Sequence, residues 1–203
     1  MYIDWQQLNR LPKIDTLIDI GVGINGTEDL YNHFNDAKLI LIDPIDEAKK
    51  YAQKLSQKRK VDFFQTALGK KDDIEKEMKL QKEKEYSSFL EISEFNMKDE
   101  YVEKRKLKIK KLDTIIKDKE SHGKIGIKID TEGYELDVIL GATETLKFSQ
   151  FVIAEVRHNH ESLKGVYKLQ EFINLMDKNN FTLSIIFTAK PFIADLCFQP
   201  KNV

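Results

Sequence analysis

The stretch Ile125-Gly-Ile-Lys-Ile-Asp-Thr-Glu-Gly-Tyr-Glu-Leu-Asp-Val-Ile-Leu-Gly-Ala142 decides the fold that we predict for this chain. Its first five residues are mostly β-branched and predict a short buried strand, whereas Leu136, Ile139 and Leu140 recur at helical spacing. A strand that runs straight into a helix places residues 130–133 at the carboxyl end of that strand. Open α/β sheets bind their ligands at such ends.

Two acidic residues of this stretch, Asp130 and Glu132, admit two explanations. Acidic side chains at the start of a helix, such as Glu132 and Glu135, favour the positive end of the helix dipole without binding anything. Asp130 fits that explanation less well, because it directly follows the last position of the strand. We therefore expect a ligand site at this turn, with Gly133 permitting a tight entry into the helix.

The residues before this stretch predict the first half of a doubly wound, nucleotide-binding sheet. An apolar strand over Thr16–Ile20 leads into Gly21-Val-Gly-Ile-Asn-Gly26, a helix follows, and a second apolar strand over 37–42 ends at Asp43. The glycine spacing matches the dinucleotide fingerprint, and Asp43 lies near the distance expected for a ribose contact. This pattern alone does not separate NAD from S-adenosylmethionine.

The charges around the glycine turn favour S-adenosylmethionine. Asp19, Glu28 and Asp29 surround the helix start that would have to receive a doubly negative pyrophosphate. S-adenosylmethionine has no phosphate, and its sulfonium and ammonium groups suit acidic surroundings. We therefore expect a methyl donor in preference to NAD.

The remaining apolar runs complete a mostly parallel sheet. The third strand with its turn is predicted over 61–69 and the fifth over 151–156, and two final strands over 181–187 and 193–198 are joined by a short connection, which makes them antiparallel. We predict seven strands in the order three-two-one-four-five-seven-six, with helices on both faces and only the last strand antiparallel.

Composition limits the class of protein. The 203 residues fit a single domain, and 33 basic against 34 acidic residues predict no strong attraction to nucleic acid or to an anionic membrane. The single Cys197 fits a reducing compartment. With no signal peptide and no apolar run of membrane-spanning length, we expect a cytoplasmic protein.

A charged excursion over about 70–111 leaves two explanations open. Leu107 and Ile109 alternate with lysines, which is typical of an edge strand with one solvated face. Alternatively, the excursion forms a lid over a substrate, built around Tyr86-Ser87-Ser88-Phe89.

Several motifs together resemble the FkbM family of methyltransferases. They occur in the family's order over residues 16–156: Asp19-Ile-Gly-Val-Gly, Asp43-Pro, Ala67-Leu-Gly, Lys111-Leu-Asp-Thr, Ile127-Lys-Ile-Asp-Thr-Glu-Gly-Tyr-Glu-Leu, and Ala154-Glu-Val. The resemblance implies a class I, Rossmann-like, S-adenosylmethionine-dependent methyltransferase, usually acting on an oxygen of a sugar or of a glycosylated or polyketide product. One departure is that the family commonly has Ala-Asn after the first glycine, where this chain has Val22-Gly23 and carries Asn25 closer to the helix.

The architecture and the resemblance assign candidate roles to individual residues. The expected contacts to the cofactor are Asp19, Gly21, Gly23, Asn25, Asp43, Thr66 and Ala67. Asp130 is the first candidate for the base, with Glu132 and His158 as alternatives, whereas Tyr86, Ser87, Ser88, Tyr134 and Arg157 remain for the acceptor. Asp130, Glu155 and Asn159 follow neighbouring strands and offer oxygen ligands that suit Mg²⁺.

Two other classes of function stay open at this point. One is an NAD-dependent oxidoreductase on the same Rossmann-like fold, and the other is a non-catalytic binding module, since a fold does not determine a function. The balanced charge disfavours an RNA methyltransferase, although a basic patch over 104–111 keeps that possibility open.

Overall fold

The computed structural model describes residues 5–92, 101–118, 120–158 and 163–201. After a 3-10 helix over Trp5–Arg10, the elements in chain order are β1 (Thr16–Ile20), α1 (Glu28–His33), β2 (Lys38–Ile42), α2 (Asp46–Leu55), β3 (Val61–Phe64), β4 (Ala67–Leu68), β5 (Ile74–Gln81), β6 (Glu91–Ile92), β7 (Tyr101–Lys110), α3 (Leu112–Ile115), β8 (Ile125–Ile129), α4 (Glu135–Leu140), α5 (Thr143–Leu146), β9 (Ser149–Arg157), β10 (Leu163–Lys164), α6 (Leu169–Lys178), β11 (Phe181–Ala189) and β12 (Ile193–Pro200). None of the helices in these ranges combines the length and the apolarity needed to cross a membrane.

The central sheet has the predicted strand order. Its strands lie in the order β3-β2-β1-β8-β9-β12-β11. The pairs from β3 to β9 are parallel, and β12 runs antiparallel to both of its neighbours. β8, the strand of the opening stretch, therefore lies beside β1, and their carboxyl ends meet at one edge of the sheet.

Helices cover both faces of this sheet because its parallel strands are apolar on both sides. On one face, alternate residues of the central strands pack with α1, α2 and the N-terminal 3-10 helix: Leu17, Leu39, Leu41, Ile153, Leu30, Ala48 and Leu8. On the other face the core joins the same strands to α4, α5 and α6: Ile18, Ile20, Ile127, Ile129, Val138, Leu146 and Phe172. This alternation fixes which side chains of each strand face the site.

The third strand is shorter than predicted, because the chain leaves the central sheet after Phe64. β4 then joins β7 and β5 in a separate three-stranded sheet, and both β5 and β7 come from the charged excursion. One face of the β5–β7 pair is solvated and carries exposed ion pairs such as Lys104–Glu77 at 3.1 Å. The turn after β5 reaches back to the edge of the sheet where β1 and β8 end, so the excursion also contributes to the site.

Candidate active site

A glycine turn follows β1 and passes very close to the end of β8. Gly21 has a φ of +81°, and a Cβ on it would lie 1.6 Å from the carbonyl oxygen of Asp130. Its N–H donates to the carbonyl oxygen of Ile42 on β2 at 3.0 Å. Glycine is therefore required here both by the backbone conformation and by the space, and the turn connects the ends of three strands.

Asp43 fixes the shape of this turn from the end of β2. Its Oδ2 accepts the N–H of Gly23 at 2.9 Å, and its Oδ1 accepts the N–H of Ile45 at 2.9 Å. Burial raises the pKa of Asp43 to about 6, and these backbone N–H groups oppose that shift. Asp43 is therefore ionised above about pH 6, with its carboxylate at the cavity wall.

A buried lysine joins the glycine turn to the acidic turn after β8. Lys128 Nζ lies 3.3 Å from Asp19 Oδ1 and 3.5 Å from Asp130 Oδ2, and it donates to the carbonyl oxygen of Gly21 at 3.1 Å. Burial alone would lower the pKa of Lys128, but the charges of Asp19 and Asp130 outweigh it and raise the pKa. The ammonium group therefore stays charged and holds Asp130 beside the glycine turn.

The acidic turn between β8 and α4 is held by Glu135 from inside the protein. Glu135 Oε1 accepts the N–H groups of Thr131 at 2.9 Å and Gly133 at 3.0 Å, and Tyr167 donates to Oε2 at 2.8 Å. Glu132 lies at the tip of the turn with a φ of +52°, a conformation that non-glycine residues seldom adopt. The role of Glu135 is thus structural, and the turn that it supports directs Glu132 toward the end of β9.

Three carboxylates converge on the cavity at this point. Oxygen atoms of Asp130, Glu132 and Glu155 lie within 4.8 Å of one another. Burial and then the charge of Asp130 raise the pKa of Glu132 to about 7, although its ion pair with Arg157 opposes the shift. Burial and the charges of Asp130 and Glu132 raise the pKa of Glu155 to about 9. Ionisation of these carboxylates is therefore unfavourable, and the cluster attracts protons or cations.

A single cavity of about 650 Å³ contains both the glycine turn and the carboxylate cluster. Its lining includes the following residues: Gly21, Gly23, Asn25, Asp43, Thr66, Ala67, Gln81, Tyr86, Ser87, Phe89, Asp130, Glu132, Tyr134, Glu155, Arg157, Lys190 and Phe192. A ligand in the turn and a second ligand at the carboxylates would therefore share one chamber.

Comparison with known proteins establishes the family. The model described as the methyltransferase FkbM domain matches residues 16–183. The chain belongs to the FkbM methyltransferase family. No curated protein matches the sequence.

Solved structures share the fold of this FkbM family member at low sequence identity. A SAM-dependent methyltransferase from Aquifex aeolicus has a TM-score of 0.51 and 14% identity, over 97% of this chain and 89% of that one. The magnesium protoporphyrin IX methyltransferase from Synechocystis PCC 6803, with bound SAM, has a TM-score of 0.51 and 10% identity, over 97% and 74%. Fibrillarin, a pre-rRNA processing protein from Methanococcus jannaschii, has a TM-score of 0.52 and 6% identity, over 94% and 68%. These likenesses show the class I methyltransferase fold and leave the acceptor open.

Most of the expected cofactor residues lie in the cavity wall of this FkbM protein. They are Gly21, Gly23, Asn25, Asp43, Thr66 and Ala67. Asp19 is the correction: it is fully buried beneath the turn, where it pairs with Lys128 and accepts the hydroxyl of Thr27 at 3.1 Å. Glu28 and Asp29 are exposed outside the cavity lining. The family confirms S-adenosylmethionine as the cofactor, but the charge argument against a pyrophosphate does not hold, because Lys128 balances Asp19.

The structure separates the residues expected at the acceptor side. Tyr86, Tyr134 and Arg157 line the cavity, as do Asp130 and Glu132. His158 does not line it, and its Nε2 lies 2.8 Å from the carbonyl oxygen of Lys190.

The two serines of the expected lid have structural contacts. Ser87 Oγ accepts the N–H of Gln81 at 3.1 Å, and Ser88 donates to the carbonyl oxygen of Glu132 at 2.7 Å. The hydroxyl of Ser88 therefore stabilises the acidic turn. Asn159, expected as a magnesium ligand, lies outside the described residues.

Three residues of the site were not singled out from the sequence. Lys128 and Asp195 are single charges within otherwise apolar strands, and such charges are rarely buried unless they are paired. A search for such single charges would therefore have identified both residues as members of buried ion pairs or hydrogen bonds. Tyr167 offered no comparable signal, because an aromatic residue ahead of a helix is ordinary core material.

Proposed function

We propose that this FkbM family member transfers a methyl group from S-adenosylmethionine to a hydroxyl oxygen of a sugar or another small hydroxylated acceptor. The observation that carries the proposal is the single cavity, in which the glycine turn and Asp43 lie next to Asp130 and Glu132. Family membership supports the methyl donor, and the cavity volume of about 650 Å³ supports a small acceptor.

The donor occupies the end of the cavity formed by the glycine turn. The ionised Asp43 accepts hydrogen bonds from the ribose hydroxyls, while Thr66 and Ala67 border the adenine. The main chain around Gly23 faces the methionine portion, and Asn25 supplies a polar side chain to it. In this arrangement the sulfonium methyl group would face the end of β8.

The reaction is a direct displacement at the methyl carbon. A lone pair of the acceptor hydroxyl forms the new carbon–oxygen bond while the carbon–sulfur bond breaks, and its electrons remain on sulfur as a neutral thioether. The hydroxyl proton passes to a carboxylate at the acceptor end. Asp130 is the first candidate for this base, and Glu132, with a pKa of about 7, is the alternative. Alignment of the two substrates supplies most of the rate enhancement.

The turn after β5 acts as a cover over the donor. Glu85 Cβ lies 3.5 Å from the place that a Cβ on Gly23 would take, and half-exposed Tyr86 lines the cavity beside it. Since Ser88 donates to the carbonyl oxygen of Glu132, the cover is anchored to the acidic turn. We expect the cover to exclude water while the methyl group is transferred.

Asp130→Asn is the variant that tests this assignment. It keeps the shape of the side chain and removes its charge, so the affinity for S-adenosylhomocysteine should change little, whereas methyl transfer to an accepted substrate should fall by about 100-fold or more. The acceptor comes from a screen of glycans and small hydroxylated compounds with labelled methyl donor. Asp137→Asn, on α4 in an ion pair with Lys70, is the matched control and should keep full activity.

The same experiments decide between the alternatives. Calorimetry that detects NAD binding and no binding of S-adenosylhomocysteine would favour an oxidoreductase and contradict the proposal. A purified protein that binds the donor but methylates nothing in the screen, with Asp130→Asn indistinguishable from wild type, would favour a binding module.

A further inference from the structure

Three carboxylates form a row across neighbouring strands at the acceptor end of the cavity. Ile129 on β8 is beside Ala154 on β9, so Asp130 follows in register beside Glu155. Glu155 is directly opposite Asp195 on β12. Residues side by side in a sheet project from the same face, about 5 Å apart. Like charges in such a row destabilise a sheet unless something positive balances them.

Asp195 is a buried member of this row with an unsatisfied oxygen. The residue is 2% exposed, and although Thr188 donates to Oδ2, Oδ1 has no hydrogen-bond partner in the part of the chain that the structure describes. Its neighbour across the strand pair is Glu155, which belongs to the carboxylate cluster. An acceptor buried without a partner destabilises the folded protein. A cation bound at the row would offset that effect.

The cations present in the site do not balance these acidic groups. Arg157 pairs with Glu132, and Lys128 is shared between Asp130 and Asp19. Among the described residues, the cations that form ion pairs with this group therefore number two, against the carboxylates of Asp19, Asp130, Glu132, Glu155 and Asp195. The oxygens of Asp130, Glu132 and Glu155 lie within 4.8 Å of one another, a separation that ligands 2.0–2.6 Å from a common ion can have.

We propose that Asp130, Glu132 and Glu155 bind one divalent cation, Mg²⁺ or Mn²⁺, with Asp195 supporting Glu155 from the neighbouring strand. The donor set consists only of oxygen, which suits hard cations and disfavours softer metals such as Zn²⁺. The ion would bind the acceptor hydroxyl at the cavity wall and lower its pKa, so that the proton could leave to water and Asp130 would act as a ligand in place of the base. That role rests on the proposed methyl transfer, whereas the binding of the ion does not.

Titration of Mn²⁺ into the donor-free protein, followed by electron paramagnetic resonance of the free ion, tests the site. We expect one Mn²⁺ per chain, displaced by Mg²⁺. Glu155→Gln removes a ligand and Asp195→Asn removes its support, and each should weaken Mn²⁺ binding by about 10- to 100-fold. Glu77→Gln, an exposed carboxylate on β5, is the control and should leave Mn²⁺ binding unchanged.

Failure of the metal site and failure of the proposed function would give different binding results. Wild-type protein that binds S-adenosylhomocysteine but no stoichiometric Mn²⁺ overturns the metal site and leaves the function standing. Protein that binds Mn²⁺ but no S-adenosylhomocysteine contradicts the methyl transfer alone. Equal Mn²⁺ affinity in wild type and both variants overturns the assignment of ligands. The wild-type stoichiometry decides the matter even where a variant does not fold.

Discussion

Replacement of Asp43 by asparagine probes how the glycine turn is held. The two carboxylate oxygens accept the N–H groups of Gly23 and Ile45, each at 2.9 Å. An asparagine side chain can accept one of these N–H groups and presents its own NH₂ to the other. One buried N–H therefore loses its partner, and we expect the free energy of unfolding to fall by about 1–3 kcal/mol.

The affinity for the donor is a separate quantity. Loss of a hydrogen bond from a ribose hydroxyl to a charged acceptor costs about 1.5–3 kcal/mol, so Asp43→Asn should raise the Kd for S-adenosylhomocysteine by about 10- to 150-fold. Calorimetry measures this at a temperature where thermal unfolding shows the variant to be folded. Asp62→Asn, half-exposed on β3 in an ion pair with Lys38, should bind like wild type. An Asp43→Asn protein with lowered stability but unchanged affinity would refute the ribose contact.

Two further predictions concern stability and pH. Glu135→Ala leaves the N–H groups of Thr131 and Gly133 without their acceptor, so we expect a loss of about 3 kcal/mol or more in urea unfolding; a loss below 1 kcal/mol would contradict the structural role of Glu135. The pKa of Asp43 is about 6, so the ionised form that accepts the ribose is lost as the pH falls through 6, and donor affinity should decline by up to tenfold per pH unit below it. The folded protein holds this proton more tightly than the unfolded chain, so the contribution of Asp43 to stability decreases as the pH rises from about 4 to 6; a donor affinity independent of pH over that range would contradict the assignment.

The order of the central strands followed from the sequence because each parallel strand is a short apolar run between helical patterns. The tight connection before Ile193 likewise predicted the antiparallel last strand. The early end of β3 did not follow, because the sequence predicts residues 61–69 as one strand with its turn, and neighbouring segments decide where the chain leaves the sheet. The local residue pattern does not indicate the residue at which the strand ends.

The sequence predicted the residues that line the site, but not the buried contacts that hold them in place. Asp43 and Asp130 are the first polar residues after apolar strands, a position that parallel sheets give to ligand contacts. Asp19 lies inside such a strand, so its burial and pairing depend on Lys128 in the neighbouring strand. The role of Glu135 depends on the left-handed backbone of Glu132, which no residue pattern reveals.

Lys128 has a consequence for how the chain tolerates substitution. One ammonium group binds Asp19, Asp130 and the carbonyl oxygen of Gly21. Loss of the lysine alone therefore leaves two buried or half-buried carboxylates without their cation. Loss of either aspartate changes the net charge around the other. Effects of substitutions at these positions should therefore be epistatic. In a library that randomises positions 19, 128 and 130 together, surviving sequences should show paired changes, such as a neutral residue at 19 with a neutral residue at 128, far more often than the single changes would suggest.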